Sequence, residues 1–127
     1  MLEKENCCET KHPAHALLAK WKKRLGLDNW VISFYPECKP NDMCLEDVAG
    51  CCEWSTLHKT ATIQVLSEQY YTYPNNMIPY DVERIIVHEL LHIKFAFLYE
   101  TEDELRQNLT HQLIEEMARA LVDSDRC

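Results

Sequence analysis

The stretch Ile85-Ile86-Val87-His88-Glu89-Leu90-Leu91-His92-Ile93 constrains this chain more than any other. It has the apolar density of a buried helix, yet two imidazoles and a carboxylate sit in its middle. Burying such groups without a compensating partner is costly, and a metal ion is a partner that suits this set. His88 and His92 are four residues apart, so on a helix both rings project from one face and reach one zinc ion at roughly 2 Å. Glu89 is the candidate catalytic residue. In such a site the metal lowers the pKa of a water toward neutrality, and the glutamate takes its proton and later delivers it to the leaving amine.

A catalytic zinc needs a third protein ligand and an open position. Residues 79–99 have a helical pattern, with Val82, Ile85, Ile86, Leu90, Ile93 and Phe97 on one side. Thr101 and Glu104 have the spacing of a capping box, which predicts a second helix from there to about residue 123. Its interior face is expected to carry Leu105, Leu109, Leu113, Met117, Ala120 and Leu121. So short a link makes the two helices antiparallel, and the level midway between His88 and His92, residue 90, is mirrored at residue 111. Of His111, Glu115 and Glu116, His111 is therefore the expected third metal ligand. Glu115, one turn further on, either orients an imidazole as an outer carboxylate or becomes the ligand itself if the helix is rotated.

Upstream, residues 13–25 read as an amphipathic helix, with Pro13 in the first turn and Gly26 as its cap. Residues 30–35 are rich in β-formers and stop at Pro36, which predicts a strand followed by a loop over 36–47. Two more β-like runs, 48–55 and 60–66, are joined at Leu57-His58-Lys59 as an antiparallel hairpin. Residues 67–79 form a loop rich in tyrosine and asparagine. Tyr71, Tyr73 and Tyr80 lie just ahead of the metal helix, as packing residues first and oxyanion donors second. The expected fold class is α+β: an N-terminal helix, a small three-stranded mostly antiparallel sheet, the metal-bearing helix and a C-terminal helix.

At 127 residues the chain suits one domain over 1–127, with 1–12 a flexible N-terminal segment. A formal net charge of −8 repels a phosphate backbone, so nucleic acid and anionic lipid are poor partners. The basic patch Lys20, Lys22, Lys23 and Arg24 is read as a solvated helix face. No run is apolar enough for a membrane span and the N-terminus lacks a secretory pattern, so the expectation is a cytoplasmic protein with reduced thiols. Its seven cysteines, Cys7, Cys8, Cys38, Cys44, Cys51, Cys52 and Cys127, are odd in number and include two adjacent pairs, a poor disulfide framework. They show no Cys-x-x-Cys spacing for a structural zinc and read as small buried residues. Cys7 and Cys8 with His12 and His15 are given no role.

His88-Glu89-Leu90-Leu91-His92, followed by the segment from His111 through Glu115 and Glu116 to Met117-Ala118-Arg119-Ala120-Leu121, resembles the compact HExxH metallopeptidase-like proteins of phages and bacterial mobile elements. These are akin to the minigluzincins and to the catalytic domains of the ImmA/IrrE type. The resemblance covers about residues 79–123. It implies a zincin-like fold in which the active-site helix follows a small sheet and a later helix gives the third ligand ahead of an Ala-rich segment. That ligand is commonly Glu. A histidine at 111 is instead similar to the SprT-like zincins, whose DNA association the net charge disfavours. The metzincin pattern is absent, because Ile93-Lys94-Phe95-Ala96-Phe97-Leu98 supplies neither its glycine nor its third histidine. The resemblance implies zinc-dependent hydrolysis of a peptide or protein substrate, bound as an added strand at the edge formed by 60–66 or 48–55. The alternative is a zinc-bearing regulatory or protein-interaction module with little peptidase activity.

Overall fold

A computed structural model describes residues 12–71, 78–100 and 103–127. The first helix, α1 (Ala14–Arg24), buries Ala14, Leu18 and Trp21. It stops because Gly26 takes φ +72°. Gly26 N–H then donates to the Lys23 carbonyl and Leu27 N–H to that of Lys22, the paired bonds of a Schellman cap, with Leu27 buried behind them. Strand β1 (Val31–Cys38) runs through Pro36 instead of ending there. It is an edge strand, and its register with its neighbour slips between Tyr35 and Cys38, so the missing proline N–H costs no ladder bond.

The hairpin forms as expected from β2 (Gly50–Ser55) and β3 (Thr60–Leu66), paired antiparallel. The sheet order is β1-β3-β2, and β1 lies parallel to β3. The sheet is therefore mixed, with one parallel and one antiparallel pair, which corrects the mostly antiparallel expectation. The alternating β3 is its centre and buries Ala61, Ile63 and Val65. Having both edges paired, it offers none to a ligand; the free edge on the hairpin side belongs to β2.

Helix α2 (Val82–Lys94) packs on this sheet and against α1, and buries Ile85, Ile86, Val87, Leu90, Leu91 and Ile93. Asp81 caps it, accepting a bond from Arg84 N–H. The helix breaks at Phe95 instead of running on, and a single turn, α3 (Ala96–Tyr99), follows. Helix α4 (Glu104–Asp125) starts at Asp103, whose carboxylate accepts from Arg106 N–H. Thr101, the expected cap, lies outside the described residues.

Helix α4 also turns a different face inward. Thr110, Ile114, Ala118 and Val122 are buried, whereas Leu105, Leu109 and Leu113 are 66%, 56% and 48% exposed. Ala120 is exposed as well, and Met117 and Leu121 are half-buried at the margin of the core. Phe97, expected inside, is 68% exposed beyond the break in the helix. The basic patch on α1 is spent partly on the fold. Lys20 pairs with Glu83 and Asp125, and Arg24 pairs with Asp125. Trp21 Nε1 also donates to Glu83, so the start of α2 is tied to α1.

Cys44 and Cys51 are joined as a disulfide, against the expectation of reduced thiols throughout. Gln64 on β3 explains how they meet. It stands opposite Cys51 in the ladder, and its side chain accepts from Cys44 N–H at 2.8 Å and donates to the Asp42 carbonyl at 2.7 Å. That pins the loop over β2 with the two Cα atoms 6.3 Å apart, within bridging range. Among the described residues, Cys38, Cys52 and Cys127 are free, and no helix is long and apolar enough to cross a membrane.

Candidate metal centre

Helices α2 and α4 run antiparallel, as their contacts show: His92 and His88 meet His111, His88 and Arg84 meet Glu115, and Asp81 meets Arg126. The pairing brings three imidazoles into a near-equilateral group. Ring centroids are 5.0 Å apart for His88 and His92, 5.0 Å for His88 and His111, and 5.4 Å for His92 and His111. One nitrogen from each ring lies within 4.8 Å of the others, an arrangement positioned to hold a metal ion. His88 and His92 are half-buried and His111 is exposed, so the group opens to solvent on the α4 side.

Two of the rings are held from behind. His88 Nδ1 lies 2.7 Å from Glu115 Oε1, which leaves Nε2 for a ligand contact. Glu115 Oε2 accepts from Arg84 and Arg119, both at 3.2 Å. His92 stacks on Trp54 of β2 at 6.2 Å and lies 5.0 Å from the Tyr99 ring. The second of the two roles open to Glu115, that of third ligand, is thus taken by His111 in the geometry, and Glu115 stands where it orients His88.

The electrostatics suit a cation. Burial drives the His92 pKa down to about 3, reinforced by His88 and His111, and burial also lowers that of His111. Both rings are therefore neutral at pH 7, the form that donates a lone pair to a metal. The hydrogen bond from His88, with Arg84 and Arg119, brings Glu115 down to about 2 despite burial. Glu89 goes the other way: burial pushes its carboxyl up to about 7, and Glu115 adds to the push. Three converging imidazoles, two of them held neutral by burial, are positioned to hold a metal ion.

Glu89 borders the same cavity, of about 650 Å³, as the three histidines. The wall opposite α2 is β2 and the loop before it. Gly50 is required there, since a Cβ at that position would stand 2.6 Å from Ile85 Cγ2 and 2.8 Å from Glu89 Oε2. The absence of a side chain lets the strand approach the carboxylate.

The tyrosines sort differently from expectation. Tyr71 and Tyr80 donate their hydroxyls to the Ile78 and Leu66 carbonyls, and Tyr73 lies outside the described residues. Tyr99 was not singled out by sequence, yet it lines the cavity with a buried hydroxyl that has no partner. Burial and Glu89 push its pKa up to about 12, so it stays a donor. Its distance from His92 in sequence, about two helical turns, is the one signal that pointed to it, and the break at Phe95 obscures that spacing. Arg84 was also missed, although it lies one turn before His88 on the same face; its buried Nε has no partner.

Among the described residues no second group of metal-ligating side chains comes together. Cys38 donates its thiol to the Tyr35 carbonyl, and Cys7 and Cys8 lie outside the described residues. Comparison with protein-family models, with curated proteins and with solved structures finds no match to this chain, so the case for its function rests on its own residues and geometry.

Proposed function

We propose that this chain is a zinc-dependent metallopeptidase with a zincin-like arrangement. His88, His92 and His111 would hold Zn²⁺ and leave one position open, and Glu89 would act as general base. The observation that carries the reading is the triad of converging imidazoles beside a buried carboxylate, all four side chains lining one cavity. When bound, the ion supplies Lewis acidity and lowers the pKa of water toward neutrality.

This chain's own residues do the rest. Glu89 takes a proton from the attacking water and returns it to the leaving amine nitrogen. A carboxyl whose pKa burial places about 7 is well matched to both transfers, and a neighbouring cation would draw it somewhat lower. Glu115 fixes the His88 ring and Trp54 supports that of His92. Tyr99 is the available donor to a substrate carbonyl oxygen as negative charge builds on it. The free edge of β2 borders the cavity and would pair with an extended peptide as an added strand.

The test is elemental analysis of protein purified without added zinc, paired with turnover of a mixture of quenched fluorescent peptides. About one zinc per chain is expected. Glu89→Gln should keep the metal and lose turnover by roughly 10²- to 10⁴-fold. Absence of metal even after zinc is supplied, or turnover unchanged in Glu89→Gln, would overturn the reading.

A further inference from the structure

The disulfide closes a ring, residues 44–51, and this ring is a wall of the cavity. Leu45, Asp47, Val48, Ala49 and Gly50 all line the cavity, as do both the half Cys51 and its neighbour Cys52. Leu45 and Val48 present apolar surface in a loop that otherwise has little reason to carry it, and Leu45 is largely exposed. Gly50, next to Cys51 in the ring, is where a Cβ would stand 2.8 Å from Glu89 Oε2. The covalent bond therefore closes an apolar surface beside the metal group, while the ladder to β3 holds Gly50 against the candidate base.

We propose that the Cys44–Cys51 ring is a subsite for an apolar side chain of the ligand, formed only while the disulfide is closed. For the ligand's polar end this rests on the metal reading above; the ring itself does not. The two sulfurs differ in access. Cys51 is buried and Cys44 is half-buried, so a dithiol reductant attacks Cys44. Its thiolate bonds to Cys44 Sγ, the S–S bond breaks, and Cys51 leaves as a thiolate that takes up a proton. The reductant's second thiol then displaces Cys44, which is also protonated, and the reductant ends as a disulfide. Gln64 still holds Cys44 N–H and the Asp42 carbonyl after reduction, and Leu66 N–H still holds the Ala49 carbonyl. The ends of the segment stay tied while the wall between them gains freedom, so the device changes binding without unfolding the sheet.

The experiment compares oxidised protein, dithiol-reduced protein and Cys44→Ser in three measurements. Alkylation with peptide mapping should find Cys44 and Cys51 protected until reduction. Hydrogen exchange should speed up over residues 45–48 on reduction and in Cys44→Ser, with the β2 ladder at 50–52 and residues 82–94 unchanged. On zinc-loaded protein, hexanohydroxamate should bind at least about tenfold more tightly than acetohydroxamate in the oxidised form, from partial burial of the extra methylenes. That preference should shrink to about twofold in the other two forms, with acetohydroxamate affinity constant. Ready alkylation of both cysteines before reduction, unchanged exchange over 45–48, or a preference independent of redox state would each overturn the proposal. If neither hydroxamate binds any form, the metal reading falls, and alkylation with hydrogen exchange decides whether the ring is a redox-dependent wall.

Discussion

The two helices that build the site live in different surroundings. Helix α2 is buried on nearly every side, and its polar residues stand out against that background. Helix α4 buries one narrow stripe, Thr110, Ile114, Ala118 and Val122, and shows the rest to solvent. Yet α4 supplies both His111, one of the three candidate ligands, and Glu115, which orients another. A polar group in an apolar helix is conspicuous because burial makes it costly; the same group on a solvated helix is cheap and carries no such signal.

The sharpest way to break this comparison is to remove one ring from each helix. His92→Ala and His111→Ala should both weaken zinc binding by more than the roughly 10- to 100-fold typical of losing an outer hydrogen-bond partner. Glu115→Gln should fall within that smaller range, because it acts through His88. Competition against a fluorescent chelator measures all three. A full-affinity His111→Ala would reduce α4 to a bystander.

The same contrast decides what could be read from sequence. On α2 the helix, its burial and its histidines are all legible, because residues 85–93 admit few other interpretations. The level of His111 is also legible, since the expected link misplaces the mirror point by less than one turn. The inward face of α4 is where the reading goes wrong, for an identifiable reason. Leu109 and Leu113 each lie two residues from His111, roughly 160° round the helix, so they and His111 could not both face α2. Choosing His111 as a ligand already implied Ile114 and Ala118 as core. The disulfide was illegible for another reason: Cys44 and Cys51 meet only because Gln64 folds the loop onto β2, and no local spacing encodes that. Pro36 misled because a proline ends a central strand but is tolerated at an edge.

A stability series sharpens the difference in burial. Ile86, fully enclosed on α2, should cost about 2–5 kcal/mol as Ile86→Ala. Leu109→Ala on the exposed side of α4 should stay within about 0.5 kcal/mol. Urea midpoints are sufficient to separate them. Comparable losses would mean that the leucine stripe of α4 is covered in solution.

Proton linkage gives a subtler contrast within α2 itself. Glu89 goes from 4.5 to about 7 on folding, so the folded metal-free protein binds more protons than the unfolded chain in that window, and stability falls as pH rises through it. His92 goes from 6.5 to about 3, so there the unfolded chain binds more protons and stability falls as pH drops. The two oppose each other where the windows overlap. Glu89→Gln uncovers the histidine: metal-free variant stability should rise with pH up to about 6.5 and exceed wild type at pH 8 by on the order of 3 kcal/mol. A variant no more stable than wild type at pH 8 would show that Glu89 is not strained by its burial.

The smallest effect separates the two N-caps. Asp81 and Asp103 each accept one backbone N–H at the start of a helix, at 3.3 Å and 3.2 Å, and either cap lost to alanine costs about 1 kcal/mol on that account alone. Asp81 carries more, because Arg126 grips both its oxygens at 2.8 Å and 2.9 Å and so ties the end of α4 to the start of α2. That pair is half-exposed on the arginine side and contributes at most about 1 kcal/mol. Asp81→Ala should therefore cost up to about 2 kcal/mol, the cap and the Arg126 pair together. The excess should vanish in an Arg126→Ala background and shrink in high salt, whereas the capping part should survive both. If Asp81→Ala costs the same with and without Arg126, the Arg126 clamp contributes nothing, and the register that brings His111 to the other two rings is set by the packing of Ile114, Ala118 and Val122 with the bonds of Glu115 to His88 and Arg84.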